Sequence, residues 1–116
     1  AQRPRVTKYG TYNNTDYTQW KNGLSMLAKS RFKKPLEGNI YLKIDFFFEI
    51  PKSWTKKKKE SAKWHNLKPD IDNLIKSIMD AFNGIVYKDD GQVVLIQARK
   101  QYATCNGVKI EIEEII

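Results

Sequence analysis

The sequence predicts an α+β (mixed α/β) domain in which two main helices pack on a small sheet. Residues 40–50 place their most apolar side chains at every second position, which indicates a strand with one buried face. Residues 69–83 carry apolar side chains at helical spacing, and residues 92–115 contain two more strand-like stretches. A chain of 116 residues suits a single domain, 1–116, with one modest core.

The first twelve residues are basic and contain Pro4 and Gly10, so we interpret them as an extended arm or loop. A helix is then expected to begin near Asn14 or Thr15, since either side chain can cap a helix. Apolar residues follow at helical spacing: Trp20, Leu24, Leu27 and Ala28.

The strand predicted over residues 40–50 ends at Pro51, which cannot donate a ladder hydrogen bond. Residues 52–68 form the most polar stretch of the chain. Its four consecutive lysines, Lys56 to Lys59, repel one another and favour a solvated loop or a frayed helix. We call these four residues the lysine run.

A second helix is predicted over roughly residues 69–83. Proline is favoured in a first helical turn, and Gly84 stands where a helix end favours a left-handed residue. Its apolar stripe comprises Ile71, Leu74, Ile75, Ile78, Met79 and Phe82. Residues 85–87 are then expected to form a short strand or turn.

The C-terminal third reads as an antiparallel hairpin. Residues 92–102 and 108–115 alternate in polarity, and Asn106-Gly107 between them is a strong hairpin signal. We therefore expect these two strands to pair with each other.

The charge balance points to a polyanionic partner. The chain has 21 Lys and Arg against 13 Asp and Glu, a net charge of +8. Nucleic acid is the usual partner of such a chain, and an anionic membrane surface is the weaker candidate. No apolar run approaches the roughly 20 residues of a membrane span. The single Cys105 excludes an internal disulfide and a cysteine-rich zinc site, and fits a reducing compartment.

In this basic chain, carboxylates collect within residues 68–92. Asp70 and Asp72 stand at the start of the second helix, where the helix dipole favours negative charge, and Asp89 and Asp90 follow its return segment. Mg²⁺ prefers oxygen ligands, so two or three of these carboxylates could bind it. The ion would polarise a phosphate and lower the pKa of a bound water. It would also offset the repulsion between a DNA backbone and an acidic cluster.

Each of these residues also has a purely structural interpretation. Asp in a first helical turn is commonly a cap, and Asp-Asp-Gly is commonly a plain turn. Lys76 lies four residues after Asp72, which suits a surface ion pair as well as a charge that stabilises a phosphate. Spacing alone leaves these alternatives open.

The same segment resembles the signature of the RusA family of Holliday-junction resolvases. The similar residues are Lys68-Pro69-Asp70-Ile71-Asp72-Asn73-Leu74, Lys76, Asp80-Ala81, Gly84, Asp89-Asp90 and Gln92-Val93-Val94, and the basic Arg3-Pro4-Arg5 resembles the family's N-terminal arm. The family usually has a hydrophobic strand before that arm, which this sequence does not show.

The resemblance implies a small mixed α/β homodimer that cuts four-way junctions symmetrically with Mg²⁺, with Mn²⁺ as a substitute. It implies that Asp70, Asp72 and Asp90 are metal ligands and catalytic residues, and that Lys76 is catalytic. Asp89 matches a less critical neighbour. Members are often borne by phages or prophages, which implies DNA recombination and repair in the cytoplasm of a bacterial or phage-infected cell.

Outside the acidic segment, basic residues form a candidate DNA-binding footprint. Trp54 and Trp64 flank the lysine run and suit either stacking on unpaired bases or a place in the core or an interface. The lone His65, five residues before Asp70, is a possible secondary site residue. The footprint comprises Arg3, Arg5, Lys56, Lys57, Lys58, Lys59, Lys63 and Lys68.

The sequence therefore favours a structure-selective endodeoxyribonuclease that resolves four-way junctions by paired nicks. Two alternatives share its basic footprint. One is a non-catalytic module that binds structured DNA, and the other is a nuclease for flaps or forks. Loss of cleavage after Asp70→Asn with binding retained would separate a nuclease from the binding module, and a panel of substrates would separate the two nucleases.

Overall fold

The computed structural model describes residues 5–12 and 20–115. Its elements follow one another along the chain as four strands and three helices in these residues. They are β1 (Arg5–Tyr12), α1 (Trp20–Arg31), β2 (Asn39–Glu49), α2 (Lys56–Ser61), α3 (Ile71–Phe82), β3 (Val93–Ala103) and β4 (Gly107–Ile115). A short 3₁₀ turn, Asp90–Gln92, precedes β3. The α+β class predicted from the sequence is confirmed.

The sheet has the strand order β1-β4-β2-β3. Strand β2 is its apolar centre, pairing antiparallel with β4 and parallel with β3. Ile40, Leu42, Ile44, Phe46 and Phe48 all point to the buried face, as the alternation of the sequence predicted.

One face of the sheet carries the core, and α1 and α3 cover it. Leu24 and Ala28 of α1 and the buried residues of α3 pack there, and Ser25 Oγ donates to Ala81 O of α3 at 3.1 Å. The buried residues of α3 are Leu74, Ile78, Ala81 and Phe82. The helical stripe of the sequence is confirmed, and Gly84 has the left-handed φ of +80°.

The predicted hairpin is wrong, because β3 and β4 pair with opposite edges of β2. Asn106 Oδ1 accepts a hydrogen bond from Glu49 N at 2.7 Å, which ties the connection to the end of β2. Since β2 is the most apolar strand, covering both of its edges outweighs the local preference of Asn-Gly for a tight hairpin.

The N-terminal arm also differs from the prediction. Residues 5–12 form β1, an edge strand whose register runs from Arg5 opposite Glu114 to Tyr12 opposite Val108. Val, Thr and Tyr are good strand formers, and β4 offers a ladder that these residues complete. The caps expected at Asn14 or Thr15 lie outside the described residues.

Two short segments, residues 56–61 and 85–87, form a helix and a turn. The lysine run begins α2, which Thr55 caps by accepting from Lys58 N at 3.2 Å, and α2 buries none of its residues. Residues 85–87 form a turn whose Tyr87 bridges to Leu36 and Asn83. No helix among residues 5–12 and 20–115 combines the length and apolar character of a membrane span.

Candidate active site

The carboxylates of Asp70 and Asp72 lie together at the start of α3. Asp70 precedes the helix in an extended conformation, φ −69° and ψ 146°, and its side chain makes no capping hydrogen bond. Asp72 lies in the first turn, where its Oδ1 accepts from Asn73 N at 3.0 Å. The capping interpretation therefore does not hold for Asp70, whose carboxylate pairs instead with the exposed Lys68.

Both carboxylates line an open cavity of about 540 Å³ between the start of α3 and β3. We call it the acidic cavity. Its other wall comes from β3 and from the loop before α3. The lining residues include Trp64, His65, Asp70, Asp72, Arg99 and Lys100. Hard carboxylate oxygens at a helix N-terminus, open to solvent, fit the ligand preference of a divalent cation.

Lysines balance the charge of this cavity. Lys68 Nζ lies 2.8 Å from Asp70 Oδ2, and both side chains are exposed. The hydrogen bond and charge of Lys68 hold the pKa of the Asp70 carboxyl below its ordinary value, and Lys100 adds to the effect. Asp70 is therefore ionised at neutral pH and paired with an exposed surface cation.

The loop before α3 is fixed to β3. Tyr102 N donates to Lys63 O at 2.8 Å, and His65 N donates to Lys100 O at 3.1 Å. Lys100 Nζ donates to Leu67 O. The sheet thus determines where the chain enters α3 and where Asp70 lies.

His65 is part of that wall. Its ring stacks on Phe48 with centroids 3.7 Å apart, and only 9% of the residue is exposed. Burial, followed by the charge of Lys100, lowers the pKa of the imidazole. Its Nδ1 has no hydrogen-bond partner in the part of the chain that the structure describes. A neutral stacked imidazole orders the wall, and its secondary role in the site stays a prediction.

Asp89 and Asp90 lie at the opposite end of α3. The Tyr87 hydroxyl donates to Met79 O at 3.0 Å, near the C-terminus of the helix. Burial raises the pKa of the Tyr87 phenol, and the negative charges of Asp90, Asp80 and Asp89 raise it further. From Asp70 to Met79 the helix rises about 14 Å. Asp90 therefore does not line the acidic cavity of its own chain.

The two adjacent aspartates of that turn differ in their surroundings. Asp89 Oδ2 accepts from Gly91 N at 2.9 Å, so its carboxylate caps the 3₁₀ turn. Asp90 is exposed and takes no part in the cap. The plain-turn interpretation thus describes Asp89, whereas the carboxylate of Asp90 remains available. Within the described ranges, no three His, Cys, Asp or Glu side chains are grouped closely enough to hold a metal ion.

Gln92 anchors this turn, a role that sequence reasoning missed. Its Oε1 accepts from Lys88 N at 2.8 Å and from Asp89 N at 3.0 Å. Its Nε2 donates to Leu36 O at 2.9 Å and to Gly38 O at 3.0 Å. The signal was the spacing of Asp89 and Gln92, which is that of a capping box.

Lys100 was also missed. By alternation it shares the core face with Ile96 and Ala98, so a charged residue at that position was the available signal. Arg99 points to the other face, where its Nε lies 2.7 Å from Oδ1 of the buried Asp45.

Among the described residues, the remaining predicted side chains lie outside the lining of the acidic cavity. Lys76 is exposed on α3, one turn after Asp72, and the lysine run is exposed in α2. Lys63 Nζ lies 5.1 Å from the ring of Trp64. Arg5 belongs to β1, of which only the backbone is described, and Arg3 lies outside the described residues.

Comparison with known proteins connects this geometry to a family. The sequence profile described as "Endodeoxyribonuclease RusA" matches residues 1–113. The crossover junction endodeoxyribonuclease rusA of Lactococcus phage r1t is 35% identical over 94 residues, 78% of this chain and 68% of the phage protein. The uncharacterized protein YqaN of Bacillus subtilis (strain 168) is 37% identical over 86 residues, 69% of this chain and 61% of that protein.

Proposed function

The chain belongs to the RusA family of Holliday-junction-resolving endodeoxyribonucleases, and we propose that Asp70, Asp72 and Asp90 form its metal site. The observation that carries this proposal is the pair of exposed carboxylates, Asp70 and Asp72, in one cavity beside a lysine-rich surface. The reaction is hydrolysis of phosphodiesters in branched DNA by paired symmetric nicks. It would serve recombination and repair in the cytoplasm of a bacterial or phage-infected cell.

Resolvases of this family depend on divalent metal ions, and Mg²⁺ suits this site best. The donors are carboxylates that leave room for water and for a phosphate, which is how Mg²⁺ is usually held, and Mn²⁺ can replace it. When bound, the cation would polarise the scissile phosphate and activate a water.

The protein's own residues have separate roles in this proposal. Asp70 and Asp72 hold the cation, and Lys68 exchanges its ion pair with Asp70 for a DNA phosphate. Lys76, one turn along α3, offsets the negative charge that develops on the phosphate. The lysine run and Lys63 contact the backbone of the junction arms, together with Arg3 and Arg5.

A homodimer would bring Asp90 to this site. Strand β3 is an edge of the sheet, and three consecutive apolar residues are exposed on it: Val94 is 57%, Leu95 52% and Ile96 36% exposed. An apolar strand edge of this kind is a template for pairing with another chain. We propose that two β3 strands pair antiparallel about a two-fold axis.

This pairing places the separated carboxylates together. With the axis at Leu95, Asp90 of one protomer reaches the end of the free edge of β3 in the partner subunit, next to Lys100, whose carbonyl already accepts from His65 N. Lys100 lines the acidic cavity with Asp70 and Asp72. Each site would then combine Asp70 and Asp72 of one protomer with the partner's Asp90. Two such sites related by a two-fold axis suit two opposed strands of a four-way junction.

The activity is tested on a synthetic four-way junction with each strand labelled in turn. With Mg²⁺ we expect nicks at symmetric positions in two opposed strands, and EDTA should prevent them. A duplex, a flap and a fork form the comparison panel. Faster cleavage of the flap or fork would favour the alternative nuclease. Binding without cleavage in both Mg²⁺ and Mn²⁺ would favour the non-catalytic module.

The interface is tested by Leu95→Glu. Because the two-fold axis sets this position close to its own copy, the variant brings two like charges together, and such juxtaposition costs several kcal/mol. We expect a monomer by analytical ultracentrifugation and at least about a tenfold loss of cleavage. Met26→Glu is the matched control, since Met26 is exposed on α1. A dimeric, fully active Leu95→Glu protein would exclude this interface.

Gln92→Ala tests whether the turn positions Asp90. The variant removes four hydrogen bonds but no proposed metal ligand. We expect the free energy of unfolding to fall by about 1–3 kcal/mol and cleavage to fall at least tenfold. Gln92→Glu keeps the two acceptor bonds but sets a carboxylate oxygen against Leu36 O and Gly38 O, so it should lose at least as much. Lower stability together with wild-type cleavage would show that the turn does not position the reacting groups.

A further inference from the structure

A second cavity adjoins the acidic cavity. It measures about 420 Å³, within the range of about 300–1,000 Å³ that is usual for ligand sites. We call it the aromatic pocket. Its main lining residues are Trp54, Lys58, Ala62, Trp64, Leu67 and Tyr102. None of these is among the proposed metal ligands, and the reaction described above gives the aromatic side chains of the pocket no role.

Aromatic contacts connect the walls of this pocket to the core. Trp54 packs edge to face against Tyr102 at 5.1 Å, and Tyr102 packs in the same way against His65 at 5.1 Å. His65 stacks on Phe48, a buried residue of β2. The aromatic chain thus runs from the core to the surface, and a flat ligand would meet a preformed wall.

The opening of the pocket is apolar and exposed. Trp64 is 54% exposed and Leu67 is 59% exposed, although both belong to a loop that is hydrogen-bonded to β3. Adjoining apolar side chains that are exposed together, with polar residues around them, are typical of a binding surface.

Cations surround this apolar surface. Lys58 Nζ lies 4.1 Å from the Trp54 ring centroid, and Lys63 Nζ lies 5.1 Å from that of Trp64. The pocket therefore offers flat apolar walls within a rim of ammonium groups. This combination is complementary to a nucleotide, whose base is flat and whose phosphate is anionic.

The position of the pocket identifies which nucleotide it would take. Trp64, Asn66 and Leu67 line both cavities. A base in the aromatic pocket would therefore belong to a nucleotide next to the phosphate in the acidic cavity. Bases inside a duplex are stacked and cannot enter, whereas the stack is interrupted at a branch point and a base there unstacks more readily. We propose that the aromatic pocket binds one unstacked nucleobase next to the scissile phosphate.

This role rests on the proposed nuclease function and makes the pocket a determinant of structure selectivity. A duplex would contact the lysines alone, while a branch point would contact the lysines and the pocket together. Stacking of one base on aromatic side chains is worth about 5- to 150-fold in affinity, enough to separate branched from unbranched DNA.

The test measures binding without cleavage. In EDTA, affinities are compared for an otherwise identical duplex, one with a single unpaired 2-aminopurine, and one with an abasic site in its place. For the wild-type protein we expect tighter binding of the 2-aminopurine DNA than of the other two, with a change in its fluorescence. Equal affinity for the 2-aminopurine and abasic DNAs would overturn the proposal.

Substitutions in the aromatic pocket test whether the unpaired base binds there. Trp64→Ala should reduce affinity for the unpaired base about 5- to 150-fold and leave duplex affinity unchanged, and Trp64→Phe should restore most of the preference. Leu67→Ser provides a second test if Trp64→Ala fails to fold, and Met26→Ala is the surface control. An equal loss for all DNAs would assign Trp64 to general DNA contact and overturn the proposal.

The outcome is separable from that of the nuclease assay. A preference for the unpaired base in a protein that cuts no junction would uphold the pocket and refute the proposed reaction. Junction cleavage by a protein without this preference would uphold the proposed reaction and refute the role of the pocket.

Discussion

Asp70→Asn is expected to abolish junction cleavage while junction binding is retained. Asparagine keeps the shape of the side chain but removes the charge that holds the cation. Loss of an outer-shell partner alone typically costs about 10- to 100-fold in metal affinity or activity, so loss of a direct ligand should cost at least about 100-fold. Cleavage in Mg²⁺ and junction affinity in EDTA are the two measurements.

The control for Asp70→Asn is Glu113→Gln, which makes the same charge change on β4 outside the acidic cavity. It should cleave at the wild-type rate. Asp70 makes no capping bond, so its substitution should leave the thermal midpoint close to that of the wild type. Wild-type cleavage by the Asp70→Asn protein would remove Asp70 from the metal site.

Combining two inactive variants in one dimer is expected to restore cleavage. If each site uses Asp70 and Asp72 of one protomer and Asp90 of the other, a dimer of Asp70→Asn with Asp90→Asn has one site with both changes and one intact site. Purified through two different tags, this heterodimer should nick at about half the wild-type rate. With one active site it should leave nicked junctions and few resolved products.

The matched control is the heterodimer of Asp70→Asn with Asp72→Asn. Here each site loses one ligand, because both residues contribute to the cavity of their own protomer. It should remain inactive, as should each variant as a homodimer. An inactive Asp70→Asn with Asp90→Asn heterodimer that still binds junctions would contradict a site shared between protomers.

Much of the fold could be predicted because the relevant signals are local. The alternation over residues 40–50 and the helical stripe after Pro69 each specify one buried face, and both are confirmed. Gly84 at the end of α3 has the positive φ expected of a helix terminus. Strand partners are not local, so the pairing of β3 with β4 was predicted wrongly from the Asn106-Gly107 turn.

The candidate site was also predictable only in those features that depend on local sequence. The sequence placed Asp70 and Asp72 at the start of one helix, and both line the acidic cavity. It did not reveal that Asp89 serves as the cap of the 3₁₀ turn while Asp90 does not, or that Gln92 ties this turn to Leu36 and Gly38. The hydrogen bonds of Gln92 to Leu36 and Gly38 join residues more than fifty positions apart.

The sequence by itself determined the local pattern, carboxylates at a helix start in a strongly basic chain, which indicates a bound cation and a polyanionic partner. Only the tertiary structure decided where those groups meet. It separated Asp90 from Asp70 by the length of α3 and left the apolar edge of β3 exposed. The reason is physical, because side-chain chemistry and periodicity are properties of a short segment. Strand order and exposed edges result from competition among all segments to cover the most apolar strand.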